Sequence, residues 1–241
     1  VHGSHFTRGI GGLLFAIPAL LAGRACPAPD ARASEFDMLL FGSLDAGGDT
    51  FLTIGAKAGL TSLAQDGFTA LASVGGGYRS EHGAEGPRER YTVAAAAVAG
   101  YQWFFDWGVA AAYAGPEAAT EMLVAGRDVH ALPTRFGLRL HGEVWARPTD
   151  ATLLQATAVA GSARDSLWAR IAWGYRLYET YIGPEAALYT DTTGYAKWSL
   201  GLHATDFAVG RYSFRASAGV QSEAGRARAR PYLTLSVWSP L

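Results

Sequence analysis

The chain has 241 residues, 49% hydrophobic, 17% charged and 12% aromatic, which suffices for one sizeable or two small globular units and excludes disordered and collagen-like classes. A formal net charge of -1 lacks the clustered basic excess that a nucleic-acid partner requires. The single cysteine, Cys26, excludes an intrachain disulfide and a cysteine-based zinc site, so the fold is stabilised without either.

The chain opens with an address. Gly9 to Gly23 is an uncharged apolar stretch behind Arg8, and Ala31-Arg32-Ala33 offers small residues at the two positions a signal peptidase reads. We expect a signal peptide over residues 1–33, cleaved near Ala33, and one barrel domain over 34–241. Fifteen apolar residues fall short of a hydrocarbon core roughly 30 Å thick, so a permanent membrane helix is the weaker reading. Gly3-Ser4-His5 reads equally as an appended tag or as part of an overlong gene start. Removal of the leader takes Arg8, Arg24, Arg32, Asp30 and Cys26 with it and leaves a mildly acidic, cysteine-free chain, as suits passage into an oxidising envelope.

From Glu35 onward the recurring pattern is alternation with period two, the mark of strands with unlike faces. Turn signals divide it into about twelve segments, near 35–46, 50–58, 68–80, 89–102, 107–119, 134–147, 152–161, 165–177, 180–190, 194–206, 210–222 and 231–239. Between Arg135 and Arg147, Arg135, Arg139, His141, Glu143 and Trp145 fall on one face and Phe136, Leu138, Leu140 and Val144 on the other. Trp168, Arg170 and Arg176 oppose Ile171, Trp173 and Tyr175. Lys197, Ser199, His203 and Thr205 oppose Trp198, Leu200 and Leu202, and Arg211, Arg215 and Ser217 oppose Tyr212, Phe214 and Ala216.

A soluble sandwich would also alternate. Two features favour a membrane. Tyr78, Trp173, Tyr175, Trp198 and Tyr212 lie near strand ends on the apolar face, where interfacial girdles form. The polar face carries large charged side chains in mid-strand. The fold class expected is therefore all-β, an antiparallel up-and-down transmembrane β-barrel of about 12 strands, with outer-membrane lipid and lipopolysaccharide as its surroundings. Odd connections, including Ser80 to Arg88, Thr120 to Pro133 and Ser222 to Arg230, read as long outer loops. Even ones, such as Pro148 to Ala151 and Tyr178-Glu179, are short, with Gly59 to Gly67 as the exception. Arg226, Arg228 and Arg230 of the last outer loop suit lipopolysaccharide phosphates.

One motif repeats: Tyr113-Ala114-Gly115-Pro116-Glu117 and Tyr181-Ile182-Gly183-Pro184-Glu185. Proline inside a strand removes a ladder donor, so each copy should be a bulge or a locally broken pair, with glycine permitting the bend. Glu117 and Glu185 then face the lumen and need cationic partners. The expected lumen network is Glu117, Arg135, Arg139, His141, Glu143, Arg170, Arg176, Glu185, Lys197, His203, Arg211 and Arg215. Only Lys57 and Lys197 among the 20 basic residues are lysine, consistent with bidentate guanidinium pairing in a packed interior.

No catalytic residue, cofactor or metal set is expected, because the chain has no Gly-x-Ser-x-Gly elbow, phosphate loop or metal-ligand cluster. His203 and Thr205, with Glu185 or Glu143, faintly resemble the His-x-Ser arrangement of outer-membrane lipid deacylases, but period two turns them inward, away from lipid.

Taken together, Tyr181-Ile182-Gly183-Pro184-Glu185, Tyr195, Trp198, Gly201-Leu202-His203 and Thr205, with Leu40-Phe41-Gly42 and Gly67-Phe68, resemble the cellulose biosynthesis protein BcsS family over most of the chain after the leader. The resemblance implies a small outer-membrane barrel with a non-catalytic, accessory role in making or exporting cellulose, and cellulose or the cellulose synthase and export complex as partners. It implies no catalytic residue. The ending Trp238-Ser239-Pro240-Leu241 departs from the terminal aromatic usual in outer-membrane barrels. A lipid-modifying barrel enzyme and a narrow solute-specific porin are the alternative readings.

Overall fold

The computed structural model describes residues 37–60, 62–83 and 86–241. The leader expected over residues 1–33, and the start of the barrel domain at residue 34, lie outside the described residues.

The strands are β1 (Met38–Ala46), β2 (Asp49–Gly59), β3 (Gly67–Gly83), β4 (Gly86–Phe105), β5 (Gly108–Ala125), β6 (Asp128–Ala131), β7 (Arg135–Thr149), β8 (Thr152–Gly161), β9 (Ser166–Leu177), β10 (Thr180–Thr190), β11 (Ala196–Val209), β12 (Tyr212–Glu223) and β13 (Arg230–Pro240). They form one 13-stranded antiparallel sheet. All but the short β6 pair on both sides, and β1 closes onto β13 from Leu39 opposite Pro240 to Ala46 opposite Leu233. The result is a closed up-and-down barrel of twelve staves. Closure leaves no unpaired edge among the twelve staves, the condition for a sheet in hydrocarbon.

Period-two patterning sets which face points out. Leu138, Leu140, Ile171, Trp173, Leu200 and Leu202 are all exposed on the outer wall, whereas Gln155, Glu185, His203, Thr205 and Arg215 are buried within. Aromatic residues Tyr78, Tyr175, Trp198 and Tyr212 also point outward. Small residues lower the cost of closely approaching backbones at the repeated motif. A Cβ on Gly115 would lie 2.3 Å from the Ala97 carbonyl oxygen, and one on Gly183 2.0 Å from that of Trp173.

At both Gly-Pro sites the ladder is broken on one side without a change of register. Pairing of β4 with β5 skips from Ala96–Glu117 to Ala99–Ala114, and pairing of β9 with β10 skips from Tyr175–Ile182 to Ala172–Glu185. The opposite edge of each strand stays paired through the proline. A locally broken pair, rather than a bulge, is thus the device at both copies, since the missing N–H removes one bond and adds no residue.

The two ends differ. At the end carrying the chain's first and last strand ends, here the terminal end, β4 to β5, β7 to β8, β9 to β10 and β11 to β12 turn in two residues each. Segment 60–66 is the longer exception. Within it residues 62–66 are tied to β4 by Gln102, which is 1% exposed and donates to the carbonyls of Leu63 and Gln65 at 3.1 and 2.9 Å. At the opposite, distal end, two of the three expected loops are instead paired structure. Ser80 to Arg88 continues the β3–β4 ladder up to Gly83 opposite Gly86. Much of Thr120 to Pro133 is β5 continued and paired with β6. Polar composition misled here: Glu81 and Arg88 are ladder residues, and Glu81 is paired with Arg88 and with Arg79 and Arg90 of the flanking strand segments.

Candidate functional site

The interior is the candidate site, and it is organised in three levels. At the distal level, Arg79 on β3 reaches Asp191, which lies just after β10 on the far side of the ring, at 2.9 Å. Arg164, in the turn between β8 and β9, binds the same carboxylate at 2.8 Å and Glu121 at 2.9 Å. Arg90 joins Glu121 at 3.0 Å and Glu81 at 2.7 Å. Glu81 also accepts from Arg79 and Arg88, which neutralises the like charges of Arg79 and Arg90, directly opposite in the ladder. Outside the strands, burial pushes the Asp191 carboxyl up, but hydrogen bonds from Thr193 and Arg79 outweigh it and hold the group below the usual aspartate range.

The middle level holds the repeated glutamates. Glu185 receives Arg215 at 2.5 Å, the Tyr232 hydroxyl at 2.7 Å and the Ser217 hydroxyl at 3.0 Å. Arg215 also donates to the Gln155 carbonyl oxygen across three intervening strands. Glu117 receives Arg139 at 3.1 Å and the Ala163 amide at 2.9 Å. Lys57 spans from β2 to Glu143 on β7 at 2.6 Å, where the Tyr113 hydroxyl also donates. Nearer the distal level, where Asp49 is the ladder partner of Arg79, Lys197 spans from β11 to Asp49 on β2 at 2.8 Å. These cross-lumen pairs brace the barrel, because each carboxylate is satisfied by donors from other strands.

At the terminal level the interior becomes apolar. Phe41 packs on Leu71, Val98, Ala111 and Tyr113. Trp145 on β7 and Trp238 on β13 meet edge to face with ring centroids 6.1 Å apart. Arg147 and Asp206 stand at the mouth, 3.6 Å apart and both partly exposed. Asp206 has a positive φ of 65° at a register shift between Thr205 and Phe207, so that successive residues Thr205 and Asp206 both line the interior.

Two cavities remain, one of about 560 Å³ that runs from Arg147 and Asp206 at the terminal mouth up to Asp49 and Lys197, and one of about 320 Å³ toward the distal end.

Of the twelve side chains expected in the lumen network, Glu117, Arg139, His141, Glu143, Arg170, Glu185, Lys197, His203 and Arg215 lie on the inner wall. Arg135, Arg176 and Arg211 do not join it. Arg135 is exposed at the first residue of β7, Arg176 pairs with exposed Glu179 at the terminal rim, and Arg211 lies in the turn before β12 against Tyr212. Strand parity gives their face correctly but not their depth: beyond the last full ladder turn a long side chain reaches water. The inner-wall residues also do not form one cluster. Glu117–Arg139, Glu185–Arg215 and Lys57–Glu143 are separate pairings. The partners missed from sequence, Asp49, Lys57, Gln155 and Tyr232, lie on strands whose alternation marks them as inward, while Asp191, Arg164 and Glu121 lay in segments read as turns or loops. His203 makes no hydrogen bond to a carboxylate or hydroxyl among the described residues, and no group of three metal-ligating side chains occurs among them.

A closed antiparallel barrel with an apolar wall and a braced polar interior defines the class: an up-and-down β-barrel of the outer-membrane type. Over residues 39–241 the chain matches the cellulose biosynthesis protein BcsS family, and it belongs to that family. No curated protein sequence matches it. Among solved structures, a TodX deltaS2S3 mutant monoaromatic hydrocarbon channel is 7% identical with a TM-score of 0.50, over 85% of this chain and 89% of that one. The beta domain of the Bordetella autotransporter Brka is 12% identical with a TM-score of 0.48, over 85% and 98%. The KdgM porin is 11% identical with a TM-score of 0.44, over 83% and 98%. At such identities the likeness is one of barrel fold alone.

Proposed function

We propose that this protein is a non-catalytic outer-membrane barrel that assists cellulose biosynthesis or export beside a separate export apparatus, reaching the outer membrane after cleavage of its leader near Ala33. The observation that carries this reading is the bridged lumen. Arg79 to Asp191 joins opposite walls at one level, and Trp145 to Trp238 does so at another. A polymer conduit calls for a continuous wide passage, whereas side chains here span the bore at two levels and leave only separate cavities. Family membership supplies the pathway. The outer wall supplies the lipid contact, and the exposed Arg228 and Arg230 at the distal end suit lipopolysaccharide phosphates.

The lipid-modifying alternative would need His203 and Thr205 to reach lipid, and both are buried inside the wall. A deletion strain complemented with the full chain tests the proposal. Cellulose output should fall on deletion, return with the wild-type gene and return equally with His203→Ala. Normal output in the deletion strain would overturn the accessory role, and a porin would instead declare itself by steady conductance of the wild-type protein in planar bilayers.

A further inference from the structure

We infer that the larger cavity is a binding site for a neutral saccharide, reached from the terminal end. Four polar groups on its lining have no protein hydrogen-bond partner among the described residues, His141 Nε2 and three that lie close together: the Gln155 amide nitrogen, the Thr205 hydroxyl and the Arg170 Nε. Gln155 is 3% exposed and Thr205 fully buried, so bulk solvent does not satisfy them, and buried polar groups are ordinarily paired. Those three sit on neighbouring strands, β8, β9 and β11 being separated only by β10, and all four face the same space of about 560 Å³. That volume lies within the roughly 300–1,000 Å³ typical of small-molecule sites.

The lining chemistry selects the class of ligand. Lys57–Glu143, Lys197–Asp49, Arg215–Glu185 and Arg147–Asp206 cancel in pairs. What remains is one cation, Arg170, and one carboxylate, Asp45, whose recorded hydrogen bond comes from the Thr234 hydroxyl. A polyanion would find no surplus of positive charge, and a cation no surplus of negative charge. A sugar hydroxyl is both donor and acceptor, so it serves Arg170, Gln155 and Thr205 at one edge and Asp45 at another. The cavity also has aromatic wall. The Arg170 guanidinium lies 5.6 Å from the Trp168 ring centroid, and Trp145 and Trp238 line the terminal side, giving flat apolar faces for the C–H side of a pyranose ring. Access is at the terminal end, where Arg147 lines the cavity with its side chain 57% exposed.

This inference deepens the cellulose reading in assigning the β-1,4 linkage, while the cavity chemistry by itself assigns only a neutral sugar. The test uses the purified full barrel in detergent, titrated separately with cellotetraose, maltotetraose and trigalacturonate, and followed by tryptophan fluorescence and calorimetry. Saturable cellotetraose binding is expected, weakened at least tenfold by Thr205→Val and by Arg170→Gln, each checked for unchanged heat-modifiable mobility. Preference for maltotetraose would uphold the saccharide site and count against the cellulose reading. Tighter binding of trigalacturonate, no saturable binding of either neutral sugar at millimolar concentration, or unchanged affinity in both variants would overturn the inference.

Discussion

Trp145 and Trp238 belong to strands on opposite sides of the barrel, yet their rings meet edge to face at 6.1 Å. Such a contact spans the bore at the terminal end, as Arg79 and Asp191 span it at the distal end. The larger cavity runs past the tryptophan pair to Arg147 and Asp206 at the mouth, so the pair narrows the bore without closing it, and the distal clasp narrows it again; in series, either constriction limits the current.

Ion conduction should therefore respond to the two levels jointly. In planar bilayers the wild-type protein should pass little current, and Trp145→Ala or Arg79→Ala alone should change it little. The combined variant should show stepwise conductance several times larger than either. Full conductance from Trp145→Ala alone would remove the distal clasp as a barrier.

The clasp also predicts an acid sensitivity. Asp191 is held below its ordinary value of 3.8 by Thr193 and Arg79 despite its burial. A carboxylate with a depressed folded-state value stabilises the protein above the unfolded value, and that contribution is lost as pH falls through the folded one. Unfolding by urea at pH 7 and again below pH 4 should show the wild type losing more stability than Asp191→Asn. At pH 7 the variant should be weaker by roughly 1–3 kcal/mol. Equal loss in both proteins would assign the acid sensitivity elsewhere.

Gly183 and Gly142 offer a contrast in backbone approach. An added Cβ at Gly183 would lie 2.0 Å from the Trp173 carbonyl oxygen, whereas at Gly142 the nearest atom is 4.0 Å away. Gly183→Ala should cost about 1–3 kcal/mol, as overpacking typically does, and Gly142→Ala should be close to neutral. Urea midpoints of the two variants decide the matter, and equal midpoints would show that the Gly-Pro break relaxes freely.

How much of this was readable beforehand follows from what alternation encodes. Leu138, Arg139, Leu140 and His141 declare their faces one by one, because a strand reverses its side chains at every residue. The broken ladder at Pro116 and Pro184 was likewise legible, since proline has no N–H. Alternation carries no information about partners across the bore. That Lys57 meets Glu143, or Lys197 meets Asp49, depends on barrel curvature and stagger, which bring together residues 86 and 148 positions apart. The same limit applies to depth: Arg135 and Arg139 share a parity, yet only Arg139 pairs with Glu117. The distal hairpins were hidden for a different reason. Charged residues such as Glu81 and Arg88 read as loop until their mutual pairing is seen.

The outer wall provides the test on which the membrane reading depends. Leu202 lies in the middle of β11 and is 62% exposed, and Leu177 ends β9 at the terminal rim with 53% exposed. In water both leucines would tolerate arginine about equally, since neither is in a protein core. In a bilayer the cost depends on depth, roughly 2–4 kcal/mol for arginine at the midplane and about 0–1 near the interface. Leu202→Arg should thus lower the unfolding free energy in lipid vesicles by several times more than Leu177→Arg. Both should fold when the lumen pairs Glu185–Arg215 and Glu117–Arg139 are left intact. Equal effects at the two positions would mean that hydrocarbon does not surround this wall, and with it the lipid-embedded barrel would fall.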